Sequence, residues 1–305
     1  MYASAVFLDC LDLAKNCSFL NWKHNLYPIL IYGWIPNIFN MYQETVKVLW
    51  NKQIGAEYYR IGLTCDKGYS YATPGQFIML TFPGRMSPLL PRPFSIHRII
   101  KTQGCTEGIE ILYKVVGEGT KMLSGHRKGD VVNILGPLGN GFIFSNRYKR
   151  IFIVAGGVGV APMLFLATYL ETKGTDPSEC TVFLGGKSKD DLLCGDDFLR
   201  MGMKIQITTD DGSAGDRCFV THPLEMTLEK YRPDIIYACG PLEMLKCVAG
   251  ISEKHDVPCQ VSIEAIMACG MGACLGCAVE GKAASENYMH ACLDGPVFDV
   301  SRIKM

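Results

Sequence analysis

Four cysteines near the end of the sequence constrain the fold of this chain more than any other feature. Cys269, Cys274, Cys277 and Cys292 follow the spacing C-x4-C-x2-C-x14-C, and the first three lie within nine residues. This spacing is typical of plant-type [2Fe–2S] clusters, in which several thiolates converge on one small inorganic core from a short loop. We therefore predict that these four cysteines are the metal ligands of an iron–sulfur cluster.

The residues between the cysteines favour this prediction over its alternatives, a zinc site or scattered free thiols. Gly270, Gly272 and Gly276 allow the backbone to approach a cluster closely and to direct amide N–H groups at its sulfurs. Structural zinc sites usually pair two C-x2-C motifs or add histidines. This sequence has one C-x2-C, and His290 stands two residues before Cys292.

The composition limits the class of protein. With 305 residues, 48% hydrophobic residues and a mean hydropathy of +0.13, the chain can bury a large core in two or three domains. The net charge is zero and no basic run occurs, so nothing indicates binding to nucleic acid or to an anionic membrane. Fourteen cysteines without a secretory signal indicate a reducing, cytoplasmic compartment rather than a disulfide scaffold.

The first forty residues differ from the rest of the sequence. Their most apolar stretch, from Leu26 to Phe39, contains Pro28 and Pro36 and is too short and too interrupted to span a bilayer. A cationic start and a small-residue cleavage site, which mark a signal peptide, are both missing. Because a well-patterned strand follows Met41, we expect Met41 to be the natural start and residues 1–40 to be an upstream extension.

Two different patterns of predicted secondary structure follow, and they indicate an all-β domain before an α/β domain. Residues 41–146 contain short β segments separated by turns, which is typical of a small antiparallel barrel. Residues 147–258 alternate strands with helices, which is typical of a parallel sheet that a strand near Pro258–Ile263 closes. Residues 259–305 then form a small C-terminal cluster domain.

The individual elements are predicted from their apolar patterns. The predicted strands of the barrel are Tyr42–Leu49, Tyr58–Thr64, Gln76–Thr81, Ile109–Val116 and Asp130–Leu135. The predicted strands of the parallel sheet are Arg150–Ala155, Cys180–Gly185, Lys204–Thr209 and Asp234–Cys239. The predicted helices are Pro162–Lys173, Asp190–Arg200, Thr221–Lys230 and Leu242–Lys254.

A glycine turn in the α/β domain is a candidate nucleotide site. Gly156, Gly157 and Gly159 stand between a buried strand and a helix, where a dinucleotide pyrophosphate can approach the backbone. The pattern is not the standard G-x-G-x-x-G, so a purely structural turn is the alternative. Asp210 and Cys239-Gly240 follow two further strands, at the ends where parallel sheets bind ligands. Cys239 is either a core thiol or a catalytic residue that faces a nicotinamide.

Two segments of the barrel are candidates for binding a flavin nucleotide. Arg92, Pro93, Phe94 and Ser95 combine a charge for phosphate, a rigid backbone and a hydroxyl in one extended segment. An ordinary edge strand is the alternative, because proline is confined to such strands. Gly119-Thr120 offers a second phosphate cradle, with free N–H groups and the Thr120 hydroxyl at the start of a helical turn.

These motifs, in this order, resemble the ferredoxin–NADP reductase superfamily. With the cysteine loop and the segment Ala291–Phe298, the sequence from Met41 onward resembles the electron-transfer subunits of two-subunit, NAD-linked dihydroorotate dehydrogenases. The resemblance implies FAD held by Arg92–Ser95, by Leu112, Tyr113 and Lys114, and by Gly119-Thr120. It also implies NAD at the parallel sheet and a [2Fe–2S] cluster on the four cysteines.

The resemblance further implies a partner and a route for electrons. An FMN-containing catalytic subunit would oxidise dihydroorotate in pyrimidine biosynthesis, in a heterotetramer with two copies of each subunit. Electrons would pass singly to the [2Fe–2S] cluster, then to FAD, and leave as hydride to NAD+. We therefore expect the cysteine loop to fold back over the cleft between the barrel and the parallel sheet, and to face the partner.

Other functions remain open from the sequence. The same cofactors occur in flavin and iron–sulfur subunits of soluble hydrogenases and of ferredoxin:NAD(P) oxidoreductases. A different class of protein, a nucleotide-sensing regulator with a structural zinc knuckle, is a third hypothesis. The choice between NAD and NADP is also open, because the two lysines of Gly186–Lys189 either bind a ribose 2′-phosphate or form a solvated turn.

Overall fold

The computed structural model describes residues 41–65, 67–85, 87–283 and 288–305. These residues belong to one compact unit. The predicted upstream extension, residues 1–40, lies outside the described residues.

The first part of the described chain is a single antiparallel sheet of seven strands in the order β4-β3-β7-β1-β2-β6-β5. Only Ile96 and His97 separate the two edge strands along the chain. The Ile96 N–H donates to Gln76 O and the His97 N–H donates to Glu110 O, so these residues join both edges. The sheet therefore curls until its edges meet, and the prediction of an antiparallel barrel is confirmed. Its strands are β1 (Tyr42–Gln53), β2 (Tyr58–Thr64), β3 (Phe77–Thr81), β4 (Arg92–Ser95), β5 (Arg98–Thr102), β6 (Cys105–Lys114) and β7 (Val131–Leu138).

Alternating apolar residues explain most of these strands. In β7, for example, Val132, Ile134 and Leu138 are buried while their neighbours are more exposed. The short strand β5 was not predicted, because Arg98 and Lys101 interrupt its apolar pattern and none of its residues is fully buried. The helix α1 (Glu118–Ser124) follows β6.

The second part is a sheet whose parallel strands are ordered β10-β9-β8-β11-β12. The chain leaves the central strand β8 toward β9 on one side, and β11 lies on its other side. The strand order thus reverses between β8 and β11, and open sheets bind ligands at such a reversal. The strands are β8 (Ile151–Gly156), β9 (Cys180–Gly186), β10 (Lys204–Thr209), β11 (Ile235–Cys239) and β12 (Cys259–Ser262). The helices are α2 (Val160–Thr172), α3 (Gly195–Arg200), α4 (Thr221–Leu228) and α5 (Leu242–Lys254).

One helix is shorter than predicted. The sequence pattern indicated a helix over Asp190–Arg200, but α3 begins only at Gly195. Residues Lys189–Asp191 form a separate 3-10 turn, and Cys194 adopts a left-handed conformation with φ of 62°. Because a left-handed residue cannot continue a right-handed helix, the two helical pieces are distinct.

The chain ends as a hairpin followed by a strand of the second sheet. The hairpin strands are β13 (Ala278–Glu280) and β14 (Tyr288–His290), and β15 (Val297–Asp299) then pairs with β12 in antiparallel register. The predicted strand near Pro258–Ile263 is confirmed as β12, which is the last parallel strand, and β15 adds an antiparallel edge strand that was not predicted. The division of the chain at residue 259 stays a prediction.

The hydrophobic core joins both sheets to the C-terminal segment. Met79 of β3 and Leu138 of β7 belong to the same buried cluster as Cys277, Cys292 and Phe298. The cysteine loop is therefore packed against the barrel as well as against the parallel sheet. Across the part of the chain described, the structure contains no helix with the length and apolar character needed to cross a membrane.

Candidate redox site

A cleft of about 470 Å³ brings together residues that the sequence placed in three separate segments. Arg92 and Pro93 of β4 form one side, and Gly240, directly after β11, forms another. The third side is the segment Ile263–Met267, which leads from β12 toward the cysteine loop. The barrel, the parallel sheet and the approach to the four cysteines thus meet at one cavity.

Arg92 and the first turn of α1 form a suitable cradle for a diphosphate. A Cβ on Gly119 would lie 3.3 Å from Arg92 Nε, so the guanidinium lies directly against this turn. Arg92 Nη1 donates to Leu90 O at 2.8 Å, which fixes the side chain. First-turn N–H groups have no partner within the helix and favour an anion. Pro93, Phe94 and Ser95 continue β4 and are half-buried.

The Thr120 hydroxyl lies in the turn that opens α1, as predicted from the sequence. Its oxygen accepts hydrogen bonds from the N–H groups of Val116 and Gly117, at 2.9 and 3.1 Å. It also donates to Gly117 O at 3.1 Å. These contacts close the turn before α1, and a direct contact between Thr120 and a phosphate stays a prediction.

The side chains of Leu112 and Tyr113 are buried, and Lys114 faces the parallel-sheet domain. The Tyr113 hydroxyl donates to Asn51 Oδ1 at 3.2 Å, and Lys114 Nζ lies 3.5 Å from Asp191 Oδ1. The pairing of β6 with β5 stops at Glu110. Among the described strands none pairs with residues 112–114 on that side, and the binding of FAD by these residues stays a prediction.

The glycine turn after β8 leaves space for a pyrophosphate. A Cβ on Gly159 would lie 2.5 Å from Cys239 O, and one on Gly156 would lie 2.9 Å from Pro241 Cδ. These two glycines therefore allow the turns after β8 and β11 to touch. Gly157 has a φ of +53°, and no atom lies within 4 Å of the position of its Cβ. The backbone is open there, at the start of α2, as a bound dinucleotide requires.

Cys239 ends β11 beside this turn. Burial raises the pKa of its thiol to about 12, although a hydrogen bond with Ser262 acts in the opposite direction. The thiol therefore keeps its proton at neutral pH and is not an activated nucleophile. A neutral, polarizable group at the meeting point of Gly159 and Gly240 fits a position next to a nicotinamide.

Asp210 lies outside this cleft. It follows β10 and lines a separate groove of about 810 Å³, together with residues of α4 and α5. Its backbone N–H donates to Gly186 O at 3.0 Å, which links the loops after β9 and β10. A direct role for the Asp210 side chain in binding the cofactor stays a prediction.

The four cysteines approach each other as two pairs. Cys277 Sγ and Cys292 Sγ are 3.2 Å apart, and the Ala291 N–H donates to Cys277 O at the base of the hairpin. Cys269 Sγ accepts a hydrogen bond from the Cys274 N–H at 3.4 Å. In the part of the chain described, no group of three or more His, Cys, Asp or Glu side chains surrounds a single metal position. Two pairs of thiols fit a centre with two irons, each of which takes two ligands.

The backbone of the loop favours a thiolate at its first cysteine. Burial alone would raise the pKa of Cys269. Hydrogen bonds from the N–H groups of Met271 and Cys274 outweigh this effect, and the pKa is lowered to about 7. Metal ligation requires the thiolate form, so this environment suits a ligand. Gly270 and Gly272 adopt left-handed φ values of 73° and 82°, as the predicted close approach requires.

The loop folds back against the barrel, as expected from the sequence. A Cβ on Gly270 would lie 2.4 Å from Met79 Cγ in β3. Asn140, just after β7, donates from its backbone to Gly295 O at 2.5 Å and from its side chain to Leu293 O at 2.8 Å. The cysteine loop therefore lies beside the strand that pairs with the flavin-binding candidate β4.

Sequence reasoning missed two groups of residues at this site. The segment Ile263–Met267 lines the cleft without any recognisable motif. Tyr58 and Asp191 join the barrel to the loop after β9, but they are separated by more than one hundred residues in the sequence. Tyr58 gave no signal, because tyrosine is common in strands.

Comparisons with known proteins match these features. Residues 153–250 match the family model of the oxidoreductase NAD-binding domain, and residues 264–304 match the model of the iron-sulfur cluster binding domain of dihydroorotate dehydrogenase B. The chain is 41% identical over 253 residues to a dihydroorotate dehydrogenase B (NAD(+)), electron transfer subunit, of Caldanaerobacter subterraneus subsp. tengcongensis, covering 83% of this chain and 94% of the relative. It is 38% identical to the protein of the same name from Desulforamulus reducens, covering 74% and 85%.

Solved structures show the same fold. A structure of an NADH-dependent reduced ferredoxin-NADP oxidoreductase, described in terms of flavin-based electron bifurcation, matches with a TM-score of 0.73 and 29% identity, covering 85% of this chain and 89% of that chain. A ferredoxin NADP+ reductase from Neisseria gonorrhoeae with bound FAD and NADP matches with a TM-score of 0.57 and 17% identity, covering 70% and 91%. The second match shows the fold alone.

Proposed function

We propose, from the premise that this chain belongs to the family of dihydroorotate dehydrogenase B (NAD(+)) electron transfer subunits, that it carries electrons from the oxidation of dihydroorotate to NAD+. The observation that carries this proposal is the cleft of about 470 Å³, where Arg92, Gly240 and the segment leading to the cysteine loop meet. The chain is an oxidoreductase subunit with FAD, [2Fe–2S] and NAD as cofactors.

The residues of the cleft have distinct roles in this function. When bound, the [2Fe–2S] cluster transfers single electrons, and FAD exchanges them for the electron pair that NAD(H) carries as hydride. Arg92 and the first turn of α1 hold the diphosphate of FAD by charge and by N–H groups. The glycine turn at Gly157 presents its backbone to the pyrophosphate of NAD(H).

Cys239 keeps the nicotinamide position free of charge. Because the thiol stays protonated at neutral pH, its Sγ adds no negative charge that would oppose the arrival of a hydride. Gly240 lines the cleft, and its missing side chain leaves room for Met244 and for the Gly156 backbone, since a Cβ there would lie 2.6 Å from Met244 Cε and 3.0 Å from Gly156 N. Proximity of the reacting groups is a main source of rate acceleration, and small displacements are costly.

The surface around the cysteine loop supports a partner. Apolar side chains that are strongly exposed cluster in and near the loop, whereas isolated surface apolar residues are common elsewhere. They are Ile266, Met271, Leu275 and Leu293, with exposed fractions of 89%, 39%, 58% and 40%. We assign this surface to the FMN-containing catalytic subunit, in an assembly with two copies of each chain. Thiolate ligands also require a reducing compartment, which supports a cytoplasmic location.

Anaerobic purification with an FMN-containing dihydroorotate dehydrogenase catalytic subunit from the same organism tests this function. The expected result is a complex that contains FMN, FAD and iron, and that oxidises NADH when orotate is supplied. A purified complex with all three cofactors but without orotate-dependent NADH oxidation would contradict the proposal.

Replacing one predicted cluster ligand tests whether electrons pass between FAD and the partner through the [2Fe–2S] cluster. In Cys274→Ser, NADH-dependent reduction of a dye at the flavin should remain close to wild type, because the FAD and NAD residues are untouched. Orotate-dependent NADH oxidation should fall by about tenfold or more, because the cluster loses a ligand. Cys247→Ser, at an exposed thiol of α5, is the matched control. Equal loss of dye reduction in a variant that keeps its FAD would show that this route is wrong.

A second candidate function is electron transfer between NADH and ferredoxin. The 29% identity to the NADH-dependent reduced ferredoxin-NADP oxidoreductase favours it, since the match covers 85% of this chain. The two functions differ in the partner. An orotate-reducing complex supports the first function, while a complex that reduces ferredoxin and ignores orotate supports the second.

A further inference from the structure

The carboxylate of Asp191 connects the nucleotide edge of the parallel sheet to the barrel. Its side chain is only 14% exposed, and its two oxygens contact different parts of the molecule. Oδ2 accepts hydrogen bonds from the N–H groups of Lys187 and Ser188, at 3.1 and 3.3 Å. Oδ1 accepts a hydrogen bond from the Tyr58 hydroxyl and lies 3.5 Å from Lys114 Nζ.

The Oδ2 side of this contact holds the loop that follows β9. This loop is joined in turn to the loop after β10, because Asp210 N–H donates to Gly186 O and Asp211 N–H donates to Lys187 O, at 3.0 and 3.2 Å. The Lys189 N–H also donates to Ser213 Oγ at 2.7 Å. Both loops stand at the carboxyl ends of strands, where the sheet binds its nucleotide.

Through Oδ1, Asp191 contacts the barrel strands that contain candidate flavin-binding residues. Tyr58 starts β2 and Lys114 ends β6, and the two are directly paired in the sheet. Lys114 Nζ lies 4.9 Å from the centre of the Tyr58 ring and 3.4 Å from Glu57 Oε2. Residues 112–114 of β6 are the strand segment whose unpaired backbone edge would bind FAD in the proposed function.

The charge states of Asp191, Tyr58 and Lys114 match this arrangement. Burial alone would raise the pKa of Asp191. The hydrogen bond from Tyr58 and the charge of Lys114 together outweigh burial, so the pKa of Asp191 is lowered. Burial and the hydrogen bond to Asp191 raise the pKa of Tyr58, which keeps its hydroxyl protonated as a donor. Asp191 is therefore an anion held between one neutral donor and one cation.

We infer that Asp191 is a positioning residue for hydride transfer: its carboxylate fixes the nucleotide loops of the sheet at a set distance from the flavin strand β6. The inference rests on the proposed function, because it concerns the meeting of NAD(H) with FAD. Asp191 acts through Lys187 and Ser188 on one side and through Tyr58 and Lys114 on the other.

The test compares Asp191→Asn with wild type in the purified holoprotein. Asparagine keeps the shape of the side chain. It loses the negative charge that attracts Lys114, and it has one acceptor oxygen instead of two. Anaerobic stopped-flow mixing with NADH then measures the rate of flavin reduction at saturation and the NADH concentration for half-maximal rate. Asp256→Asn is the matched control, because Asp256 is 99% exposed in its pair with Arg232.

The expected result separates rate from affinity. The saturating rate of flavin reduction in Asp191→Asn should fall by about tenfold or more, while the half-saturating NADH concentration changes by less than about threefold. Tyr58→Phe should show a smaller fall in the same direction. A rate within about twofold of wild type overturns the inference, and so does a loss of affinity as large as the loss of rate.

A second measurement reports on the loops without turnover. Hydrogen–deuterium exchange should accelerate in the peptide containing Lys187 and Ser188 in Asp191→Asn, and stay unchanged in the Asp256→Asn control. Unchanged exchange there would also overturn the inference. If wild type itself shows no flavin reduction by NADH, the proposed function fails instead, so the two failures are distinguishable.

Discussion

At the scale of single residues, His97 shows how burial fixes a protonation state between the two sheets. Its ring is fully buried, and Nδ1 lies 2.9 Å from Ala161 O in the first turn of α2. Since a carbonyl only accepts, Nδ1 carries the proton and Nε2 is left without a partner among the described residues. Burial lowers the pKa of His97 to about 3, with Arg60 and Arg98 acting in the same direction.

This depressed pKa predicts a loss of stability in mild acid. The histidine of the unfolded chain titrates near its ordinary value of about 6.5, so between pH 6.5 and 3 the unfolded state binds more protons. The contribution of the neutral, buried His97 to the free energy of unfolding is complete above about pH 6.5 and falls as the pH is lowered. Between pH 7.5 and 5, the free energy of unfolding should fall by about 2 kcal/mol more in wild type than in His97→Asn, whose amide can still donate to Ala161 O.

Denaturant unfolding at the two pH values measures this difference. His222→Asn is the matched control, because His222 is exposed on α4 and should leave the wild-type pH dependence in place. Identical pH dependence in wild type and His97→Asn would show that another group causes the loss.

At the scale of elements, the contact between the turns after β8 and β11 predicts the effect of one methyl group. In Gly159→Ala the new Cβ would lie 2.5 Å from Cys239 O and 2.7 Å from Gly240 Cα, and backbone atoms cannot move aside cheaply. The two turns must separate, so the affinity for NADH should fall by about tenfold or more, while FAD stays bound.

Titration of the flavoprotein with NADH measures this affinity. Gly250→Ala in α5 is the control, because no atom lies within 4 Å of its Cβ position and alanine is the better helix residue by about 0.5–1 kcal/mol. It should bind NADH normally and melt at a slightly higher temperature. Normal NADH affinity in Gly159→Ala would exclude this turn as the nucleotide site.

The elements also show which parts of the fold a sequence can reveal. The strand β10 and the helix α5 were predicted with their observed bounds, because each has a regular apolar pattern over its whole length. β15 was missed because it has three residues and pairs with β12 far away in the chain. The glycine and cysteine motifs were visible because such combinations are rare. The Asp191 contact was not, because it depends on how the two sheets pack.

At the scale of the whole molecule, the exposed apolar surface near the cysteine loop predicts how the subunits associate. Leu275 is 58% exposed and has a φ of 56°, a conformation that asparagine adopts more readily than leucine. Leu275→Asn therefore removes apolar surface without straining the loop. The affinity for the catalytic subunit should fall by about tenfold, while the visible spectrum of the cluster is unchanged.

A direct binding assay between the separately purified subunits measures this change. Leu199→Asn is the matched control, since Leu199 is 57% exposed but lies on α3, away from the loop. Equal affinity in the two variants would show that the partner docks elsewhere.

The pairing of β15 with β12 has a consequence for how the protein survives damage. Because both ends of the cysteine segment are held in the same sheet, at Ser262 and Val297, the segment is a closed handle rather than a free tail. If the cluster were lost, its four thiols would stay within a segment held at both ends, so reassembly would require less ordering of the chain than in a free tail.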